Sequence, residues 1–476
     1  MNLTPRRLLA TALATATVAT GLALTQPAYA APDHGAGADA IPTGAGTVSG
    51  KQIAQKKFTP KHATGQQGIE ALGQRLKKLA ADSDLSKAEL TRMLREDRTL
   101  GVGEDGHLAV ADTFGQGGTG ATITTGRPDT LLWPINQTLQ LHSRPNSPLK
   151  IYLDFNGHTT SGTVWNNQYS SFTTPVWGRD GDGSTFNTSE AAAIQAAYAS
   201  VAEDFAPFNV DVTTQDPGVE GLRRTSTSDT AYGIRVVVGP NTWLNVSNSG
   251  YAQIGSFTWN SDTPAYCFAN ASTSTKQIAE CISHEAGHTV GLYHDGAPGT
   301  DYYAGHANWA PIMGNPYGRA MTQWSRGQYP GATNTQDDLS VIGSYLGWVP
   351  DDYAGTTATT ATLPAGTTRT GAISWGSGEY DAFKFTLNVK RTVNIQSWEW
   401  IQQVDSNLNM RIQLTNAAGT VLTTASPTGT TRTNFTVTLN PGTYYVFLSG
   451  VGEGTTSTGY TNYGSLGFYN LLLRFV

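Results

Sequence analysis

The chain has 476 residues, with 36 acidic against 30 basic side chains for a formal charge of −6, 38% hydrophobic residues and 14% charged ones. That balance describes a weakly acidic chain without the basic excess that nucleic acid or an anionic membrane would attract. Its 53 Gly and 22 Pro exclude long helical bundles and coiled coils, and its length suggests two or three domains.

Residues 1–30 read as an export signal. Arg6 and Arg7 precede an uncharged Ala/Thr/Leu run from Leu8 to Leu24, and Ala28-Tyr29-Ala30 supplies a small-x-small cleavage site. A membrane anchor would need about 18 apolar residues, and no second stretch of that kind follows. The expected location is therefore extracellular, with no membrane attachment after signal removal. The arginine pair leaves the twin-arginine route open.

Residues 31–147 read as a propeptide with a flexible linker. Leu72, Leu76 and Leu79 fall on one stripe of a helix over 68–79, and Ser86-x-x-Glu89 announces a second helix carrying Leu90, Met93 and Leu94. Gly115 to Gly126 is a Gly/Thr tract of the kind proteases cut. A small N-terminal domain with a linker has the same pattern, and that alternative stays open.

Residues 148–350 alternate strands and helices. Strands are expected at 148–155, 208–212 and 234–238, with a helix over 189–205 marked by Ile194, Tyr198, Val201 and Phe205. This order predicts an α+β domain in which a mixed twisted sheet packs on helices. Asp180-Gly181-Asp182-Gly183 has a calcium-loop flavour but lacks the later ligands, so a turn is the expectation and a Ca2+ role is unsupported. The alternation over 255–268 predicts an edge strand that pairs with an extended peptide.

In an oxidising compartment the two cysteines, Cys267 and Cys281, are expected to form a bridge. Closing the short loop between them is worth about 3 kcal/mol. The rival reading makes Cys281 a zinc thiolate. From Asp351 onward, short alternating runs at 383–387, 393–396, 410–414, 435–439, 444–448 and 468–475 predict an all-β sandwich. The absence of G-G-x-G-x-D repeats excludes a calcium β-helix.

The chemistry concentrates in one window. Four of the nine histidines fall between His284 and His306. Four residues along a helix rotate by about 400° and rise about 6 Å, so His284 and His288 project from one face as two metal ligands. Glu285 lies about 100° round from His284, beside the metal, where a carboxylate can accept a proton from an activated water. The helix must then end and turn the chain back, which Gly291 permits through a positive φ, so that His294 can supply a third imidazole. Three neutral imidazoles leave a fourth position open, the arrangement of a catalytic rather than a structural zinc.

The string His284-Glu285-x-x-His288-x-x-Gly291-x-x-His294-Asp295 resembles the signature of the metzincin zinc endopeptidases, and Asp295 is most similar to the reprolysin (adamalysin) branch. The resemblance implies a metzincin-like fold for 148–350, one catalytic Zn2+ held by His284, His288 and His294, and Glu285 as general base and acid. It also implies a Met-turn at Pro311-Ile312-Met313-Gly314, with Met313 as an apolar floor beneath the zinc. Some members place a Tyr two residues after that Met; here Asn315 stands there and Tyr317 is the nearest tyrosine. A cysteine-based latency is excluded because residues 31–147 contain no Cys; an Asp or His107 from that segment could substitute. His306 is expected to hydrogen-bond near the cleft.

Residues 351–476, through Asp351-Asp352-Tyr353, the Asp381-Ala382-Phe383-x-Phe385 strand and Gly442-Thr443-Tyr444-Tyr445-Val446, resemble a bacterial pre-peptidase C-terminal domain. The expectation is a secreted, monomeric zinc metalloendopeptidase, made as a zymogen and acting on protein or peptide substrates. Two alternatives stand beside it. One is a zinc-stabilised binding or adhesion protein using Trp398 and Trp400. The other is a zinc aminopeptidase whose third ligand is a Glu from a later helix rather than His294.

Overall fold

The computed structural model describes residues 40–44, 62–82, 85–113, 130–245, 247, 249–375, 378–401 and 406–476. The export signal over 1–30 and the tract over 115–126 lie outside the described residues. Those described belong to one unit, Gly37–Val476.

After a short strand β1 (His62–Thr64), the N-terminal segment forms helices α1 (Gly65–Leu72), α2 (Arg75–Asp82) and α3 (Lys87–Glu96). The leucine stripe over 68–79 predicts one helix, but the structure has two, because Gly73 adopts φ 50° and breaks the ladder. Leu72 and Leu76 are buried as expected. The capping box of α3 forms as read: Ser86 Oγ accepts from Glu89 N at 3.1 Å, and Ser86 N donates to Glu89 Oε2 at 2.8 Å. α3 stops at Asp97, whose amide still bonds Met93 O at 2.8 Å.

Two further strands follow, β2 (Leu100–Gly103) and β3 (Leu108–Asp112), which the helical reading of this segment does not anticipate. They join β4 (Lys150–Asp154), β5 (Asp211–Thr213), β6 (Gly233–Gly239), β7 (Gly250–Gln253) and β8 (Ala265–Phe268). Among the described residues these eight strands form one mixed sheet in the order β1-β2-β3-β7-β8-β6-β4-β5. β6, β4, β5 and β8 run parallel, whereas β1, β2, β3 and β7 are added antiparallel. The central β6, Gly-Ile-Arg-Val-Val-Val-Gly, is buried throughout, as befits a strand covered on both faces. Its Arg235 is tolerated there because Asp154 (2.6 Å) and Asp262 (2.9 Å) pair with it.

The alternation over 255–268 predicts an edge strand, and the structure corrects this. Residues Ser256–Thr258 form a 3-10 turn, and β8 lies inside the sheet between β6 and β7. β7 is itself paired with β3, with Asp112 opposite Gly250 and Ala111 opposite Tyr251. The N-terminal segment thus extends the sheet of residues 150–268.

Helix α4 (Thr188–Asp204) starts on an Asn187–Glu190 capping box and is buried along nearly its whole length, which its alanine-rich sequence allows. Helix α5 (Thr275–Thr289) packs beside it, and the disulfide Cys267–Cys281 ties β8 to α5 with a Cα–Cα distance of 5.7 Å. Helix α6 (Asp338–Leu346) follows. The rest is a two-sheet sandwich built from β9 (Arg369–Ile373), β10 (Asp381–Leu387), β11 (Arg391–Glu399), β12 (Met410–Asn416), β13 (Val421–Ala425), β14 (Thr433–Leu439), β15 (Gly442–Gly450) and β16 (Gly467–Phe475). One sheet has the order β9-β16-β11-β14 and the other β10-β15-β12-β13. The apolar core runs without a break from α4 and α5 into this sandwich. No helix among the described residues is long and apolar enough to cross a membrane.

Candidate metal centre

The site is built on the C-terminal half of α5. Ser274 and Gln277 cap its start, and Ile278 and Ile282 fix its rotation by burial in the core. That rotation carries His284, Glu285 and His288 inward, and all three are fully buried. The helix ends at Thr289, and Gly291 takes φ 92° to reverse the chain, as its position predicts. His288 Nδ1 faces Leu292 O and His284 Nδ1 faces Ile312 O, both at 2.8 Å. A carbonyl accepts only, so each Nδ1 carries a proton, and in the neutral imidazole that leaves Nε2 with the lone pair a metal takes.

His294 arrives from the loop with its Nε2 3.2 Å from that of His288. The fourth group at this point comes from the N-terminal segment. Asp112 is fully buried, with Oδ1 2.9 Å from His294 Nε2 and Oδ2 3.4 and 3.5 Å from the Nε2 atoms of His284 and His288. On the far side of His294, Asp97 Oδ2 meets Nδ1 at 2.6 Å, and Thr99 Oγ1 lies 3.3 Å from the same nitrogen. The Tyr302 hydroxyl donates to Asp112 Oδ1 at 2.9 Å, with its ring 4.3 Å from that of His294. In the metal-free protein, burial would depress the His294 imidazole, yet Asp97 and Asp112 outweigh it and raise it to about 10. Burial holds His284 well below the usual histidine range.

Four donors around a tetrahedral zinc, each about 2.0–2.1 Å from the ion, stand roughly 3.3 Å apart. His288 and His294 Nε2 stand 3.2 Å apart, Asp112 oxygens lie 2.9–3.5 Å from the three Nε2 atoms, and all four donors fall within 4.8 Å of one another, so the donor set fits that ion in chemistry and in approximate spacing. His284, His288 and His294 would hold it together with Asp112. Among the described residues no Glu joins this group.

Glu285 sits against Asp112 and beneath Gly250. Burial, then the Asp112 charge, push its carboxyl well above the usual range. A Cβ on residue 250 would lie 1.6 Å from Glu285 Oε1, so any side chain there would have to displace the Glu285 carboxyl. Tyr317 lies on the same side. Its phenol is raised by burial and by Glu285, and it bonds Ser249 rather than the cluster of imidazoles. Met313 is fully buried under α5: a Cβ on Gly287, the residue before His288, would meet Met313 Sδ at 2.7 Å. Asp295 hydrogen-bonds Met313 O through its amide at 2.8 Å, and burial pushes its carboxyl up to about 7.

His306 does not join the centre. Its Nδ1 meets the Tyr303 hydroxyl and its Nε2 the carbonyl of Gly459, each at 2.7 Å, so it fastens this loop to the C-terminal sandwich. His107 packs at a tilt against Trp259, ring centroids 4.4 Å apart, near Asp105 and away from the centre. Cys281 is in the disulfide and is not a thiolate ligand. Asp182 accepts from Ser184 N, Thr185 N and the Thr185 hydroxyl, and Asp180 accepts from Asn187, so these carboxylates build a turn. Sequence reasoning allowed an Asp of residues 31–147 near the zinc but did not single out Asp97 or Asp112, and it missed Tyr302. The available signal was Ala109-Val110-Ala111-Asp112, an apolar run ending on a carboxylate.

Neither family models nor curated proteins give a match to this chain. Among solved structures it is similar to the pre-peptidase C-terminal domain of a collagenase from Bacillus anthracis, at 16% identity over 26% of this chain and 98% of that one, with a TM-score of 0.19.

Proposed function

We propose that this protein is an exported zinc-dependent endopeptidase of the metzincin kind, acting on protein or peptide substrates, with a pre-peptidase-like C-terminal domain. The observation that carries the reading is the convergence of His284, His288 and His294 Nε2 on one buried position with Glu285 alongside. A bound zinc would supply Lewis acidity toward a water and a scissile carbonyl. Glu285 would take the proton of that water and return it to the leaving amine. Its buried position beside the imidazoles supports this role. Met313 under Gly287 and the carbonyls of Leu292 and Ile312 keep the imidazoles aligned. The disulfide supports an oxidising location.

The test is hydrolysis of an unstructured protein by wild type and Glu285→Ala after removal of the N-terminal segment, with phenanthroline treatment, zinc restoration and a zinc count. The expected result is one zinc in each and turnover in the wild type alone. A second reading rests on Asp112, which gives the centre four protein donors, as structural zinc sites have. One zinc in each with turnover in neither would favour that zinc-stabilised binding protein.

A further inference from the structure

We infer that the C-terminal sandwich is a component of the metal centre, in which Asn407 positions the first zinc ligand, His284, through two buried hydrogen-bond routes, one by way of Asp204 and one by way of Gln323. This rests on the zinc reading above and assigns positioning residues that lie outside the histidine motif.

The first route fixes the helix. Asn407 precedes β12 in the sandwich, and its side-chain amide donates to Asp204 Oδ1 at the end of α4. Asp204 Oδ2 bonds the hydroxyl of Ser283, the residue before His284 in α5. The main-chain carbonyl of Asp204 accepts from Trp324 Nε1 at 2.7 Å, so this residue is held at its backbone as well as at its carboxyl. Successive residues of a helix are rotated by about 100°, so a hold on Ser283 sets the direction in which His284 leaves α5.

The second route fixes the ring. The carbonyl of Asn407 accepts from Gln323 Nε2 at 2.6 Å, and Gln323 Oε1 accepts from Trp309 Nε1 at 3.0 Å. Two short strands, Trp309–Pro311 and Met321–Gln323, pair in parallel with Pro311 opposite Gln323. The next residue, Ile312, donates its amide to Gln323 O at 2.9 Å and offers its own carbonyl to His284 Nδ1 at 2.8 Å. Ile312 thus takes its position from Gln323 and passes it to the imidazole.

The other two imidazoles are oriented from elsewhere: His288 Nδ1 meets the carbonyl of Leu292, and His294 Nδ1 the carboxylate of Asp97. The joints of both routes are buried, with 6% exposure at Asn407, 7% at Asp204, 1% at Gln323 and 0% at Ser283. Water is therefore not at hand to replace a lost partner, and each bond acts in a medium of low dielectric. The sandwich main chain also lies directly on the strand of Gln323, because a Cβ on Gly464 would come within 2.6 Å of Gln323 Cβ. Two routes that start at one residue and end on one ligand make docking of the sandwich a condition of that ligand's placement. Tight zinc binding accordingly requires residues 351–476 to stay in place.

The experiment uses the full chain loaded with cobalt in place of zinc. The visible ligand-field spectrum reads the placement of the donors, chelator competition reads zinc affinity, and thermal unfolding reads the docking. Asn407→Ala and Gln323→Met should each alter the spectrum and lower zinc affinity about tenfold, the lower end of what partners behind a ligand are worth. Tyr463→Phe is the control. Its hydroxyl bonds Asp337 Oδ1 at 2.8 Å and the amide of Leu339 at 2.9 Å across the same interface, away from both routes. That variant should unfold at a lower temperature with the spectrum and affinity of wild type. Ser283→Ala, a change that a helix accepts readily, should lower zinc affinity by itself, and adding Asn407→Ala to it should cost little more because both cut the first route. Wild-type spectrum and affinity in Asn407→Ala or in Gln323→Met overturn the inference, and so does an equal loss in Tyr463→Phe, since loosened docking of any kind would then suffice. If Asn407→Ala does not fold, wild-type affinity in Ser283→Ala overturns the first route in its place. Failure of wild type to take up one cobalt, or uptake unaffected by His284→Ala, would instead sink the zinc reading beneath it.

Discussion

The sulfur of Met313 occupies the space beside Gly287 so closely that a Cβ there would come within 2.7 Å of it. Leu292 Cδ1 and Trp324 Cζ3 stand 3.3 Å from the same point, so three side chains close around one missing methyl group. Gly287→Ala must therefore push α5 or Met313 away from the histidines. Overpacking of this kind costs about 1–3 kcal/mol, and the displacement of ligands should add at least a tenfold loss of zinc affinity. Thermal unfolding with and without zinc measures both; a variant that binds zinc as tightly as wild type would show that Met313 does not set the height of the helix.

Gly250 offers a cleaner separation of the proposed base from the proposed metal. The nearest atoms to a Cβ at 250 all belong to the Glu285 side chain, starting with Oε1 at 1.6 Å. Gly250→Ala should turn Glu285 away while sparing the imidazoles. Hydrolysis by the processed protein is expected to fall by about 10²- to 10⁴-fold, the usual worth of a positioned general base, with one zinc still bound. Zinc loss in step with activity would contradict this separation.

What could be read from the sequence, and what could not, divides by range. His284, Glu285 and His288 lie within two turns of one helix, where helical geometry alone sets their relation, and Gly291 and His294 follow within a short loop. The cap of α3 and the disulfide are equally local. Asp97 and Asp112 reach the same centre through sheet pairing and helix packing across well over a hundred residues, and no local periodicity encodes which strand lies beside β7. The edge strand expected at 255–268 fails for the same reason: alternation reports which faces are buried, not which neighbour covers the edge. In the sandwich, β9 and β13 escape notice because they are partly or largely exposed and lack the apolar alternation of their neighbours.

The disulfide should matter chiefly for the bond between β8 and α5. With a sequence separation of 14, Cys267–Cys281 closes a loop worth about 3 kcal/mol. Reduction, or the Cys267→Ala/Cys281→Ala pair, should lower the unfolding midpoint by several degrees, and more so without zinc, because on the proposed reading a bound metal would hold the end of the same helix. Calorimetry on oxidised and reduced protein checks this. An unchanged midpoint in metal-free protein would show that the core alone fixes α5 against β8.

The contact between α4 and the C-terminal sandwich should respond to pH. Glu203 accepts from Phe468 N at 3.1 Å and from Ser406 Oγ at 3.0 Å, and a Cβ on Gly467 would lie 2.1 Å from its Oε1. Burial raises its carboxyl to about 8, with Asp204 and Glu399 adding in the same direction. Between the unfolded value near 4.5 and about 8, the folded protein keeps a proton that the unfolded chain has released. The Glu203 contribution to stability is therefore fully present below about 4.5 and is lost as pH rises through 8. Glu203→Gln removes this titration but keeps an acceptor for Phe468 N and a donor toward the sandwich. The variant should gain stability relative to wild type as pH goes from 5 to 8, measured as the difference between their unfolding midpoints at each pH, so that the pH dependence of zinc binding cancels. Curves that stay parallel over that window would mean that Glu203 is ionised in the folded protein and that the sandwich docks without regard to its proton.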